Sequence, residues 1–86
     1  MKSVYFSVTV TFYLDDDTYI SIYPKRFGDM KRAVDYALDV DLAAAAEGFE
    51  IENLSDYWHG VVALGVVYGG ETVHREIVKD GFHNYR

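Results

Sequence analysis

The chain has 86 residues, half of them hydrophobic, a formal net charge of −6 and no cysteine. That length supports one core only, so residues 1–86 are expected to form a single domain that hides about 60 to 65% of the surface its unfolded form exposes. The missing cysteine excludes disulfides, thiolate metal sites and cysteine nucleophiles, and the acidic balance argues against direct binding of nucleic acid, which runs on Lys and Arg displacing counterions.

After Met1, Lys2 and Ser3 the polarity alternates at once: Val4, Phe6, Val8, Val10, Phe12 and Leu14 fall on one side, and Ser3, Tyr5, Ser7, Thr9, Thr11 and Tyr13 on the other. This period of two marks a strand over residues 3–14 with one buried and one open face. Asp15, Asp16 and Asp17 form a turn, and residues 18–24 resume the alternation up to Pro24, which is expected to end the second strand. A three-residue loop sets Phe12 opposite Ile20, Val10 opposite Ile22 and Tyr13 opposite Tyr19, whereas a two-residue loop mixes the faces; an Asp then takes the left-handed position.

Gly28 and Asp29 introduce a helix with Asp29 as N-cap, and Met30, Ala33, Val34, Ala37 and Leu38 share one face. Asp41 either ends this helix or caps a short second one through Leu42 and the four alanines, with Gly48 as the stop. Residues 49–56 read as a connection with some strand character, and residues 57–68 as a central strand. Gly69 and Gly70 signal a two-residue hairpin, with residues 71–79 returning so that Val66 faces Val73 and Val62 faces Ile77. That register puts Arg75 beside Leu64, so that face must be open near its middle or Arg75 must reach out to an acid. Residues 80–86 read as a loop. The plan is α+β, β-β-α-β-β: one antiparallel-rich sheet with one helix packed on one face.

No stretch resembles a secretory signal, and the longest apolar run, residues 60–68, is too short to span a bilayer, so a soluble, cytoplasmic protein without membrane contact is expected. Between Arg32 and Arg75 there is no Lys or Arg but there are eight carboxylates, namely Asp35, Asp39, Asp41, Glu47, Glu50, Glu52, Asp56 and Glu71. Asp35 and Asp39 are like charges one helical turn apart, an arrangement that is unfavourable unless compensated. Two partner-binding surfaces follow. One is acidic, with Asp35, Asp39, Glu47, Glu50, Glu52 and Asp56 suited to a protein partner with a basic surface. The other is the hydroxyl face with Tyr5, Tyr13, Tyr19 and Tyr23, suited to a partner or to a homodimer because tyrosine gives large contact area at low entropic cost. The same features also fit a solvated acidic surface and ordinary strand propensity.

Catalytic residues, metal ligands and cofactors are not expected. Asp15, Asp16 and Asp17 fail the calcium-loop template, since Tyr19 stands at a ligand position and Arg26 at the closing one. His59, His74 and His83 match no zinc spacing, and Ser55, Asp56 and His59 lack a nucleophile elbow. Trp58 reads as a core plug. In size, acidity, lack of cysteine and lack of a catalytic signature, the chain resembles the small anti-defence proteins of phages and mobile elements, anti-CRISPR inhibitors among them; composition and plan carry the likeness, and no motif does. The expectation is a non-catalytic interaction module, an inhibitor docking on a basic, nucleic-acid-binding partner. The alternative is a ligand-binding or enzymatic homodimer with a helix/sheet pocket that uses His59 or His74.

Overall fold

A computed structural model describes residues 3–85, with Tyr23 described by its backbone alone. The order is β1 (Val4–Leu14), β2 (Tyr19–Phe27), α1 (Met30–Asp39), α2 (Leu42–Gly48), a 3-10 turn (Ile51–Asn53), β3 (Tyr57–Tyr68) and β4 (Glu71–Asn84). All strand pairs are antiparallel and the sheet order is β2-β1-β3-β4, so the strictly alternating β1 and the apolar β3 are central. The fold is α+β, with the helical elements on one face of one sheet. Among the described residues no helix is long and apolar enough to cross a membrane.

The first hairpin follows the three-residue loop. Phe12 pairs with Ile20, Val10 with Ile22 and Tyr13 with Tyr19, and Asp17 is left-handed at φ 65°. Strand β2 continues through Pro24 to Phe27, contrary to the expected stop. It is an edge strand with a bulge there: Tyr23 and Pro24 lie between the Val10–Ile22 and Val8–Lys25 pairs, where β1 supplies only Thr9. A proline at an edge bulge forfeits no ladder hydrogen bond.

Asp29 caps α1, its carboxylate accepting from the Lys31 N–H at 3.1 Å. Asp41 caps α2 by accepting from the Ala44 N–H at 3.1 Å, so the helical layer has two α-helices where the simplest plan has one. Ala33 and Ala37 are buried, but Met30 and Leu38 are exposed, because α1 meets the sheet along a stripe of small residues narrower than its apolar arc. Residues 49–56 contain the 3-10 turn instead of a strand. Ile51 is fully buried there after Glu50 turns the chain at φ 53°, and Ser55 is buried as well.

The core lies between sheet and helices, where Phe12 and Val62 are wholly inaccessible and Trp58 meets Phe12 edge-on with centroids 5.2 Å apart. Gly60 lets these groups meet: a β-carbon there would lie 3.1 Å from atoms of Leu42, Phe12 and Trp58.

The second hairpin turns at Gly69 and Gly70, with φ 59° and 85°. Its register departs from the sequence expectation after two pairs. An extra residue on β4 at Val73, and another at Val78, move Val66 opposite His74, Gly65 opposite Arg75 and Val62 opposite Lys79. Each bulge reverses which β4 side chains face the helices. Arg75 thereby leaves the Leu64 side for the open face, and Ile77 goes with it. Residues 80–84, expected as loop, extend β4.

Candidate functional site

The sheet is long, and the molecule measures 50 × 23 × 18 Å. Its charges divide along that length. At one end of β3, around Trp58, lie the β1–β2 turn with Asp15, Asp16 and Asp17, the α2 cap Asp41, and the sequence-predicted Glu47, Glu50, Glu52 and Asp56. Glu47 sits on α2, Glu50 precedes the 3-10 turn, Glu52 belongs to it, and Asp56 enters β3; all are exposed. At the opposite end Lys25 and Arg26 on β2 and Lys31 and Arg32 in the first turn of α1 mingle with Asp29, Asp35, Glu71 and Glu76. The eight residue steps from Trp58 to Val66 span about 26 Å of strand.

Asp35 and Asp39 lie on α1, apart from the others, and Asp35 is already compensated by Lys31 Nζ at 3.0 Å. That contact holds the Lys31 ammonium above its ordinary pKa, first through the hydrogen bond and then through the charge. Lys79, on β4, donates from Nζ to the Leu38 carbonyl at 2.6 Å, which satisfies one of the free acceptors at the end of α1.

A hydrogen-bond cluster joins the acidic elements. Asp15 Oδ2 accepts from the Asp56 N–H at 3.2 Å, and Ser55 Oγ accepts from the Asp15 N–H at 3.1 Å. Asp16 accepts from the Thr18 N–H at 3.1 Å and from its hydroxyl, and these bonds, the hydroxyl's first, lower its pKa below 3.8. The Ser55 and Asp15 side chains thus serve the backbone, and His59 lies elsewhere.

Beside these acids, α2, the 3-10 turn, β3 and β4 enclose a cavity of about 320 Å³ lined by Ala43, Glu47, Glu52, Trp58, His83 and Tyr85. The Trp58 and His83 rings are inclined by 25° at 6.1 Å, His83 meets Tyr85 at 4.3 Å, and the Trp58 Nε1–H donates to the Tyr85 hydroxyl oxygen at 3.0 Å. Trp58 is a core plug that also forms a wall. The sequence reading missed His83 and Tyr85, which fall in the tail taken for a loop. The alternation of Gly81 and His83 with Phe82 and Asn84 was the available signal.

The face away from the helices carries no second layer. Tyr19, Tyr13, His59 and Phe82 are successive cross-strand partners and form one row across all four strands, with centroids 6.1, 6.2 and 5.8 Å apart. Tyr13, Tyr19 and Phe82 are exposed, Phe82 at 72%. His59 Nε2 lies 3.0 Å from Asp80 Oδ2 in the same region. Tyr5, further along, is half-buried beneath the Arg26 guanidinium, 4.9 Å from its ring centre. The Tyr23 side chain lies outside the described residues. Between these groups the face is less hydroxylic than β1 alone indicates, because Val61, Ala63 and Val67 of β3 share it.

Of the two histidines considered for a helix/sheet pocket, His59 is on the opposite face and His74 sits out on β4, 3.2 Å from Glu76; the histidine lining the cavity is His83. Among the described residues no group of three or more His, Asp or Glu side chains is placed to hold a metal ion. Compared with models of protein families, with curated proteins and with solved structures, the chain matches none.

Proposed function

We propose that the chain is a non-catalytic, cytoplasmic interaction module that presents its acidic end to a basic, nucleic-acid-binding surface on another protein, as an anti-CRISPR-like inhibitor does. The observation that carries this reading is the segregation of charge. Asp15, Asp16, Asp17, Asp41, Glu47, Glu50, Glu52 and Asp56 belong to elements at one end, and no described Lys or Arg belongs to them. A one-signed end on an elongated body orients approach to an oppositely charged surface and raises the rate of encounter.

The test is a basic partner recovered from the native host and then titrated as a purified protein. Binding weakens steeply with salt, and reversal of Glu47, Glu50 and Glu52 to lysine weakens it by about tenfold or more. Reversal of Asp35 and Asp39, tested separately, reports whether α1 belongs to the same surface. An affinity indifferent both to salt and to every reversal rejects the reading.

The aromatic row favours a second surface, on the open face, for a second copy of the chain. Tyr13→Ser with Tyr19→Ser then converts a dimer to a monomer in sedimentation at unchanged circular dichroism. A wild-type chain monomeric at high concentration removes this reading.

A further inference from the structure

Three aromatic rings and two carboxylates make up nearly all of the wall of the cavity at the acidic end. We infer that this cavity is a binding site for a guanidinium group, the side chain of an arginine supplied by a protein partner. The inference deepens the docking reading and rests on it for the source of the arginine.

The wall selects for a cation. Trp58 is buried beneath His83 with its N–H engaged by the Tyr85 oxygen, so Tyr85, 40% exposed, is the ring that offers a face, and aromatic faces attract positive charge. Among the described residues neither Glu47 nor Glu52 has an ion-pair partner, so an anion would be repelled and a neutral guest would leave both charges uncompensated. The wall also selects for a planar cation. A guanidinium stacks flat on an exposed aromatic ring such as Tyr85 while its edge donates to carboxylates, whereas an ammonium is a compact, strongly hydrated point charge. The volume of about 320 Å³ suits one side chain and lies at the low end of ligand clefts. Secondary structure fixes the walls, because α2 carries Glu47, the 3-10 turn carries Glu52, and the Trp58–His83 strand pair sets the ring spacing.

Trp58 is the sole tryptophan, so the emission of the unlabelled full chain reports on the cavity directly. The probe is acetyl-Gly-Arg-Gly-amide at low ionic strength, with the uncharged, near-isosteric citrulline peptide as control. The arginine peptide is expected to give a saturable change, and the citrulline peptide to bind at least about tenfold more weakly. Glu47→Gln with Glu52→Gln weakens arginine binding by about tenfold, whereas Glu71→Gln with Glu76→Gln, which removes as much charge, leaves it within about twofold. All four positions are exposed, so both variants keep the fold, as circular dichroism will verify. No saturable response to arginine, an equal response to citrulline, or equal losses in the two double variants overturns the site. Such an outcome leaves the docking reading to its own salt and charge-reversal test. A chain that binds the peptide as expected but forms no salt-sensitive complex with a basic protein loses the docking reading and keeps the site.

Discussion

Ser55 Oγ accepts from the backbone N–H groups of Asp15, at 3.1 Å, and of Tyr57, at 3.3 Å, and donates to the Tyr57 carbonyl. Its side chain is buried, so alanine there strands a backbone donor 40 positions away in sequence. Ser55→Ala should cost about 1 to 3 kcal/mol in urea unfolding, and a loss near zero would mean that water replaces the hydroxyl. Asp16 makes a gentler prediction. Its folded pKa is depressed, so its contribution to stability is present above the unfolded value of 3.8 and fades as pH falls through the lower folded value. Thr18→Val removes the largest cause, and the Asp16 carboxyl should then titrate closer to 3.8 by NMR. Legibility at this scale depended on redundancy. The left-handed Asp17 followed from a register constraint that only one loop length satisfied. The left-handed Glu50 had no such constraint, and the neighbouring Gly48 drew attention away from it.

Within elements, alternation located β1 and β2, an apolar run located β3 and a glycine turn located the start of β4, and the two matched faces of β1 and β2 dictated their pairing. Strand β4 resisted because its bulges leave no local mark. Val73 and Val78 are ordinary strand residues, and only the energy of placing Arg75 against Leu64 argues for an extra residue, without saying where. The expected conflict at Arg75 was a real signal whose resolution needed three dimensions. The second helix was foreseen only as one of two roles for Asp41, since four alanines have high helix propensity but bury little. Asp41→Ala should cost about 1 kcal/mol and lower the far-UV helix signal. At Gly60 the packing is stricter, for a methyl group there meets Leu42, Phe12 and Trp58 atoms at 3.1 Å. Gly60→Ala should destabilise by about 1 to 3 kcal/mol and alter the emission of Trp58; an unchanged midpoint would show that the helix can shift outward. The cavity itself was only half legible. Glu47, Glu52 and Trp58 stood out by charge or rarity, but that they meet His83 follows from the number of residues in β4, which the bulges change.

Across the whole molecule, one helical layer covers one sheet face and the other is covered only by its own side chains, which bury Thr11, Val61, Ala63 and Val67, and about 5 to 10 kcal/mol is the stability expected of a chain this size. Phe12→Ala, at a wholly buried position, should remove about 3 to 5 kcal/mol of that and leave a substantial unfolded population at 37 °C, measured by thermal melts. The elongated shape gathers carboxylates at the Trp58 end and leaves both signs mixed at the other, an arrangement that composition alone, read as an average of −6, conceals. Strand β4, at 14 residues, is also one rim of the sheet. A rim that long and straight would act as a template on which other chains add in fibrillar fashion. The two inserted residues twist it out of flatness, and His74, Arg75, Glu76, Lys79 and Asp80 scatter ionisable groups along it. Excision of Val73 and Val78 would therefore do more than misplace an arginine: it would hand passing chains a smooth rail to extend.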